Sequence, residues 1–454
     1  MSEGKPTSEE LAALVEQQAA EIARLTQQIT EQQKRITELE QRLQAAHRQA
    51  APFRREERRK KPDAQKKRPG RQKGHAGTYR PRPETIDCEV DVPLPGCPHC
   101  EGQLADVQKR EQFIEEIPPV RPVCVKVTAW TGVCARCGEV QSTHPLQTST
   151  AVGAAGNHLG PRAQALALLL AHRSGLTMRR SCQALWDLCG LKLSPGGLSH
   201  LLQRAADRLE PLYARIGEQI RDSAAVFADE TSWYVGGPKW WLWIFTTPAA
   251  TLYRVEPGRG SDVVHETLGE EFGGMLVSDC LASYNAIDCR KHKCIAHHLR
   301  VLKEHEESLK KRGIVSRDLL LWKVLFKDVI ATWKNREGLE PAAYVSKVLQ
   351  LARGVENLLG RSPPEPEAVK FRNRLARQRD HLLGCLSEPA AEPTNNRAER
   401  DLRPAVIDRK LSCGNKTIAG KQAWEVLRSV IVTSEKQGAD LLDTLTPHLR
   451  LASE

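Results

Sequence analysis

Two short apolar runs, each followed by an acidic residue, constrain the fold more than any other feature. Val226–Ala228 leads into Asp229, and Met275–Ser278 leads into Asp279. Each run has the length and composition of a buried strand. In mixed α/β sheets, loops and ligand sites gather at the carboxyl ends of strands. The runs therefore predict a sheet that delivers two carboxylates at the ends of buried strands.

The residues between the two acids extend this pattern. Trp240 to Thr247 and Thr251 to Val255, joined by a Pro-Ala-Ala turn, predict a β-hairpin. Ser261 to Glu271 then predicts a helix. The predicted order is strand, strand, strand, helix, strand, with acids on the first and fourth strands.

The stretch from Pro393 to Pro404 holds a third acid in a dense setting of amides and guanidiniums. Asn396 followed by Glu399 is a helix-opening pattern, with a cap residue and then Glu at the third helical position. Asn395 falls on the same helical face, and Pro404 is expected to limit how far the helix runs. Taken alone, the stretch fits a capped surface helix with one ion pair. The two upstream acids favour a functional site instead.

The order of elements and three local motifs resemble the RNase H-like catalytic core of DDE transposases. The similarity is close to the bacterial insertion-sequence sixty-six (IS sixty-six) family and spans nearly the whole chain. The motifs are Asp229-Glu230-Thr231 after a strand, Asp279 followed by Tyr284, and Asn395-Asn396-Arg397-Ala398-Glu399-Arg400 before Leu402-Arg403-Pro404. The resemblance implies a multidomain α+β/α protein whose core carries a helical insertion before its last helices.

The resemblance also implies the chemistry. Asp229, Asp279 and Glu399 would be the catalytic acids, and they would hold two Mg²⁺ (or Mn²⁺) ions, with Asp229 bridging both. Three converging carboxylates repel one another unless cations are present, and Mg²⁺ prefers oxygen ligands. Two such metals suit an in-line phosphoryl displacement. The expected function is a DNA transposase that cuts element ends and joins the 3′-hydroxyl to target DNA.

Two other functions stay open at this point. A transposase-derived DNA-binding protein without catalysis would share the accessory modules described below, so those modules cannot separate it from an enzyme. A nuclease on the same core would cut DNA but never join a 3′-end to a target.

Residues 8–47 carry a heptad pattern. The a positions are Val15, Ile22, Ile29, Ile36 and Leu43, and the d positions are Leu11, Gln18, Leu25, Gln32 and Leu39. β-Branched residues at a with Leu at d favour a parallel two-stranded coiled coil, which predicts a homodimer. The alternative is a single amphipathic helix packed on its own domain.

Residues 48–84 form a basic linker. From Arg54 to Arg82 there are thirteen Lys and Arg against three acids, a balance of +10 in a chain whose net charge is +11. Such a run is disordered when free and binds phosphates, which favours double-stranded DNA as partner over a solvated spacer. The candidate DNA-binding residues are Arg58, Arg59, Lys60, Lys61, Lys66, Lys67, Arg68, Arg71 and Lys73, with Arg397, Arg400 and Arg403 near the third acid.

Residues 85–148 contain two CxxC pairs separated by 33 residues that we expect to be rich in strands. Two such pairs predict a Cys₄ zinc ribbon that holds Zn²⁺ in a closed structural site. The ligands would be Cys97, Cys100, Cys134 and Cys137. Cys294 and His297 form a further CxxH pair, for which a buried histidine is a simpler explanation than a metal site.

Residues 149–222 are predicted to be helical. Gly160-Pro161 opens one helix, Leu176 to Leu188 forms a second, and Ser194-Pro195 caps a third. This arrangement fits either a helix-turn-helix domain that binds DNA or an ordinary helical connector.

The predicted domain plan follows from these segments. It comprises a coiled coil (8–47), a basic linker (48–84), a zinc ribbon (85–148), a helical domain (149–222), the first part of an RNase H-like core (223–289), a helical insertion (290–392) and the last core helices with the C-terminal tail (393–454).

Bulk properties bound the partners. The net charge of +11 favours a polyanion over an acidic small molecule. No apolar run approaches the ~20 residues needed to span a bilayer, and no secretory segment is evident. We therefore expect a bacterial cytoplasmic protein, associated with the nucleoid when bound to DNA, with accessory transposition proteins as further candidate partners.

Overall fold

The computed structural model describes residues 18–36 except 19, 22 and 34, then 80–152, 156 and 158–451. The described positions within 18–36 are helical. The rest of the predicted coiled coil, and the basic candidates from Arg58 to Lys73, lie outside the described residues. The chain divides into two compact units, Met1–Pro119 and Val120–Glu454.

The regular elements of the second unit are numbered here in chain order. Its strands are β1 Thr131–Cys134, β2 Gly138–Gln141, β3 Ala225–Tyr234, β4 Lys239–Thr246, β5 Thr251–Glu256, β6 Met275–Ser278 and β7 Arg290–Lys293. Its α-helices are α1 Pro161–Leu168, α2 Met178–Cys189, α3 Pro195–Arg221, α4 Asp262–Leu268, α5 Ile295–Lys310, α6 Arg317–Lys334, α7 Pro341–Leu359, α8 Pro366–Ala376, α9 Gly384–Ser387, α10 Asn396–Ser412, α11 Ile418–Lys436 and α12 Leu441–His448. A π-helical turn, Leu169–Arg173, extends α1.

Five strands form one mixed sheet in the order β5-β4-β3-β6-β7. β3, β4 and β5 pair antiparallel, whereas β6 is parallel to both β3 and β7. The protein is therefore of the α+β class. The predicted succession of three strands, a helix and a strand is confirmed, although α4 is shorter than predicted.

Two hydrophobic cores lie on the two faces of this sheet, and β3 contributes to both. Val226 and Ala228 belong to the first core, with residues of α1, α3 and α12. Ala225 and Phe227 belong to the second core, with residues of α5 to α8 and of α10. Successive strand residues face opposite sides, so Asp229 continues the Phe227 series and faces the second core.

β7 is a strand that the sequence pattern did not indicate. It reads Arg-Lys-His-Lys, which carries no hydrophobic signal. His292 and Lys293 are nevertheless fully buried. Lys293 Nζ donates to Ser278 Oγ at 3.1 Å, and His292 Nε2 lies 3.1 Å from the carbonyl oxygen of Pro393. Partners from distant parts of the chain thus bind Lys293 Nζ and His292 Nε2, which offsets part of the cost of burying these side chains, while His292 Nδ1 is buried without a hydrogen-bond partner among the described residues.

The outer edge of β5 is covered by side chains of α11. Three backbone N–H groups of this strand donate to oxygens spaced four residues apart along the helix. The pairs are Thr251 to Thr433 Oγ1 at 3.0 Å, Tyr253 to Ser429 Oγ at 2.9 Å, and Val255 to Glu425 Oε1. Because an open strand edge exposes unpaired backbone groups, this ladder closes one side of the sheet.

Replacing Ser429 with Ala is expected to lower the free energy of unfolding by about 1–3 kcal/mol, because the buried N–H of Tyr253 loses its acceptor. Chemical denaturation measures the change. Ser434→Ala is the matched control, since Ser434 is also buried on α11 and its hydroxyl makes no hydrogen bond among the described residues. An equal loss in the two variants would contradict the ladder.

The segment between the two CxxC pairs is not rich in strands, which corrects the sequence expectation. Residues 101–130 contain no strand, and the only strands near the second pair are β1 and β2. Val107, Ile114 and Val123 are exposed there. β-Branched residues favour a strand only where a partner strand and a packed face are available.

The helical predictions agree with the structure. α3 begins at Pro195, and Ser194 Oγ accepts from the N–H of Gly197 at 3.0 Å as a cap. Gly190 ends α2 in the left-handed conformation that glycine favours. Residues 290–392 are mostly helical, as α5 to α9.

Candidate active site

Asp229 and Asp279 lie side by side on neighbouring parallel strands. In the pairing of β3 with β6, Phe227 lies beside Val277, and each acid follows two residues later. Asp279 comes directly after β6, as predicted. Asp229 does not end its strand, because β3 continues to Tyr234 through its antiparallel pairing with β4. Asp229 therefore lies in the middle of β3, at the position along the sheet where the neighbouring strand β6 ends.

Glu399 approaches the same place from the first turn of α10. This helix begins at Asn396, with Asn395 as the N-cap residue, so the predicted cap is displaced by one position. Neither asparagine caps with its side chain. Asn395 is fully buried, and its Nδ2 donates to the carbonyl oxygen of Ala228 at 2.8 Å. That bond fixes the start of α10 against the residue before Asp229.

α10 also passes through Pro404 and ends only at Ser412, which corrects the expectation that the proline limits it. Contacts on both sides of the proline hold the helix. Asp401 Oδ2 accepts from Lys436 Nζ at 2.6 Å, and Arg409 Nη1 donates to Ser232 Oγ at 2.6 Å. These contacts offset the hydrogen bond that a proline removes from a helix.

The three acids interact electrostatically. Burial raises the pKa of Asp229 to about 7, and the charges of Glu230, Asp279 and Glu399 push it in the same direction. The N–H of Glu230, which donates to Asp229 Oδ1 at 2.9 Å, opposes the shift. Strand register and helix docking thus bring together three carboxylates that are far apart in sequence.

Glu230 serves a different role from its neighbour. Its side chain faces the first core and is almost fully buried. Tyr284 Oη and the Arg259 guanidinium both donate to its carboxylate. This pairing attaches the loop after Asp279 and the loop after β5 to β3, so Glu230 organises the surroundings of the acids.

The donor chemistry of the three acids fits a hard divalent cation, since carboxylate oxygens are the ligands that Mg²⁺ prefers. Each side chain also has a local contact. Leu281 N–H donates to Asp279 Oδ1 at 2.8 Å, and Glu399 Oε1 lies 4.0 Å from His297 Nε2. Among the described residues, no three His, Cys, Asp or Glu side chains are arranged so that they could together bind a metal ion.

Three arginines of α10 were candidates for phosphate contact. Arg397 forms an ion pair with Glu392 and covers the Phe227 ring at 5.3 Å, which explains its position by packing alone. Arg400 and Arg403 are exposed, and the described part of the chain offers them no ion pair. They remain candidates for contact with an anionic ligand.

Three residues near the acids were missed as site residues by sequence reasoning. They are Asn395, the buried Lys293, and His297, which contacts Glu399. Burial lowers the pKa of Lys293 to about 8, with Cys280 and Asp279 acting in the opposite direction. A polar strand gives no sign that its lysine is buried, so no sequence signal could have identified it.

Replacing Asn395 with Ala is expected to lower the free energy of unfolding by about 1–3 kcal/mol, because the buried carbonyl of Ala228 loses its donor. The melting temperature and denaturation midpoint measure the effect. Asn396→Ala is the matched control, since Asn396 is the next residue and is exposed. Equal stability of the two variants would show that the bond does not hold α10.

The two CxxC pairs share one local geometry. In each pair the backbone N–H groups two and three residues further on lower the pKa of the first thiol, Cys97 or Cys134. Such bonds favour the thiolate, which is the metal-binding form. Zinc binding by Cys97, Cys100, Cys134 and Cys137 stays a prediction, which the zinc content of the purified protein would test.

The part of the chain that the structure describes includes no helix long and apolar enough to cross a lipid bilayer.

Comparison with known proteins places this architecture in a family. A protein from Sinorhizobium fredii (strain NBRC 101917 / NGR234), described as uncharacterized protein y4qI, is 26% identical over 310 residues, which are 61% of this chain and 54% of that protein. The chain thus spans about half the length of this relative. A family model described as "Transposase IS66 family" matches residues 156–423, more than half of the chain. The matched range contains all three acids of the candidate site, and the chain belongs to the IS66 family of transposases.

Proposed function

We propose that the protein is a DNA transposase that cuts the ends of its element and joins the freed 3′-hydroxyl to target DNA. The observation that carries the proposal is the register of β3 with β6, which sets Asp229 and Asp279 at matching positions, together with the attachment of the α10 start, near Glu399, to β3 through Asn395. These acids come from a strand, a strand end and a helix. A buried acid whose pKa is raised, as that of Asp229 is, is characteristic of functional sites.

An RNase H-like core is part of this proposal. Its support is the sheet, in which three antiparallel strands continue into two parallel strands. Two acids lie on the central pair, β3 and β6. The third comes from α10, which packs on the same face as Asp229.

Asp229, Asp279 and Glu399 would together hold two Mg²⁺ or Mn²⁺ ions. Bound there, the ions would activate the attacking hydroxyl and neutralise charge on the leaving oxygen. Ionised carboxylates repel one another, and this repulsion opposes a closer approach of the three side chains to one another. The neighbouring groups hold each acid in place: Asn395 for the helix of Glu399, and the N–H of Leu281 for Asp279.

Cationic side chains on α10, the helix that carries Glu399, would position the DNA substrate. Arg400 and Arg403 are exposed one residue and one turn beyond Glu399. Arginine is well suited to phosphate because its guanidinium donates in a planar fork. We assign these two residues to the DNA backbone, and we assign Arg397 to packing.

A strand-cleavage and strand-transfer assay tests the function. The full chain is incubated with labelled duplexes that carry the element ends and with target plasmid, with Mg²⁺ or with EDTA. Mg²⁺-dependent 3′-ends that become joined to target support a transposase. Cleavage without joining would indicate a nuclease, and binding without cleavage would indicate a DNA-binding protein.

A further inference from the structure

We propose that Lys239, Trp241 and Arg259 form a phosphate clamp that grips duplex DNA beside the candidate active site. The proposal rests on the proposed function only for the location of the scissile phosphate. The clamp itself is a claim about DNA binding.

Two cations share one indole ring in this cluster. Lys239 Nζ lies 4.3 Å from the centroid of the Trp241 ring, and the Arg259 guanidinium carbon lies 4.4 Å from it. The ring is half-buried, while Lys239 is exposed and the Arg259 side chain is 41% accessible. A cation over an indole is held in place by the ring quadrupole, so both charges are oriented before any ligand arrives.

The charge balance of the cluster leaves one cation without an anion. Arg259 is paired with Glu230. Glu256, which lies beside Trp241 on β5, is engaged by Arg254 at 2.9 Å. Lys239 has no carboxylate partner among the described residues. The exposed ammonium of Lys239 is therefore free to pair with a phosphate of DNA.

The sheet sets the distance between the clamp and the acids. Trp241 pairs with Ser232 on β3, three residues beyond Asp229. A strand rises roughly 3.3 Å per residue, so the separation along β3 is about 10 Å. Because successive side chains of a strand face opposite sides, Trp241 lies on the face of Glu230, and the clamp meets DNA from the side of the sheet opposite to Asp229.

Arg259 also links the clamp to the acids. It pairs with Glu230, the neighbour of Asp229, and its carbonyl oxygen accepts from Ser283 Oγ at 2.6 Å in the loop after Asp279. Clamp and acids are thus attached to the same strand and loop. A phosphate held at one would have a defined offset from the other.

The test measures the salt dependence of binding by the full chain to a labelled duplex of arbitrary sequence, in EDTA so that no cleavage occurs. Each phosphate contact contributes about 0.9 to the slope of log K against log salt. Lys239→Gln is expected to make the slope shallower by about 1 and to weaken binding equally for all sequences. Lys239→Arg should keep the wild-type slope.

Lys327→Gln is the matched control, because Lys327 is an exposed lysine of α6 in the helical insertion. Its slope should stay at the wild-type value. Thermal melting of each variant shows whether it folds normally. An unchanged slope for folded Lys239→Gln, or an equal change in the Lys327 control, would overturn the clamp.

A second measurement locates the contact. Ethylation of one phosphate in the DNA that flanks the cut should interfere with binding by wild type and not by Lys239→Gln. Interference that persists in the variant would also overturn the clamp. If the clamp responds as expected but no DNA is cut or joined, the proposed function fails while the binding surface stands.

Discussion

Replacing Asp229 with Asn is expected to abolish Mg²⁺-dependent cleavage of element ends while leaving end binding largely intact. Asp279→Asn and Glu399→Gln should behave in the same way. An amide keeps the shape of the side chain but loses the negative charge that attracts a divalent cation. Metal stabilisation of a phosphoryl-transfer transition state is worth several kcal/mol, so cleavage should fall by about 10³-fold or more.

Gel analysis of nicked and joined products measures the loss, and gel shift measures binding. Asp288→Asn is the matched control, because Asp288 is an exposed aspartate in the segment between β6 and β7. This variant should cleave DNA at the wild-type rate. Normal cleavage by any one of the three acid variants would remove that residue from the site.

The contribution of Asp229 to the stability of the protein is expected to fall as pH rises from about 4 to about 7. The folded-state pKa of Asp229 is about 7, above the ordinary aspartate value of 3.8, because the carboxyl is buried and because neighbouring acids are negatively charged. Between these two pH values the unfolded chain has released the proton and the folded protein still holds it. Folding therefore takes up a proton, and stability decreases with pH.

The size of the effect follows from the shift. One pKa unit corresponds to about 1.4 kcal/mol, so a shift of about three units contributes up to about 4 kcal/mol. Below about pH 4 this contribution is fully present, and above about pH 7 it is lost. Burial also raises the pKa of Glu425 to about 7 and that of Asp408 to about 6, and these groups act in the same direction as Asp229. Burial lowers the pKa of His172, His292 and His298 to about 3 or 4, and these groups act in the opposite direction on the stability of both wild type and Asp229→Asn.

Comparison with Asp229→Asn isolates the Asp229 contribution, because the other acids are common to both proteins. Urea denaturation across this pH range should show the variant gaining on wild type as pH rises. Parallel curves would contradict the predicted pKa. At pH 8, Mg²⁺ should stabilise wild type by about 2.7 kcal/mol at 100 times its Kd and should have little effect on the variant.

The elements that follow a clear hydrophobic period were predictable. β6 has the predicted bounds, and the hairpin of β4 and β5 lies within one residue of its prediction. Ser194 caps α3 as expected. In each case local sequence and tertiary packing favour the same structure, which is the condition under which pattern reasoning succeeds.

The elements whose stability depends on distant partners were not predictable. β7 is polar and is held by Ser278 and Pro393. Asparagine is a common helix-cap residue, but the side chain of Asn395 donates to a backbone carbonyl of β3 instead of capping α10. Pro404 should limit a helix, yet α10 continues because Asp401 and Arg409 fasten it to the sheet.

The amino-acid sequence by itself determined the family and the succession of strands and helices around the three candidate acids, because these depend on short-range pattern and motif. Only the tertiary structure decided that Asp229 lies inside β3, that Glu230 turns away to Arg259 and Tyr284, and that two cations meet over Trp241. Those features depend on strand register and on contacts between residues far apart in the chain. The free energy of such contacts cannot be inferred from any short segment of the sequence.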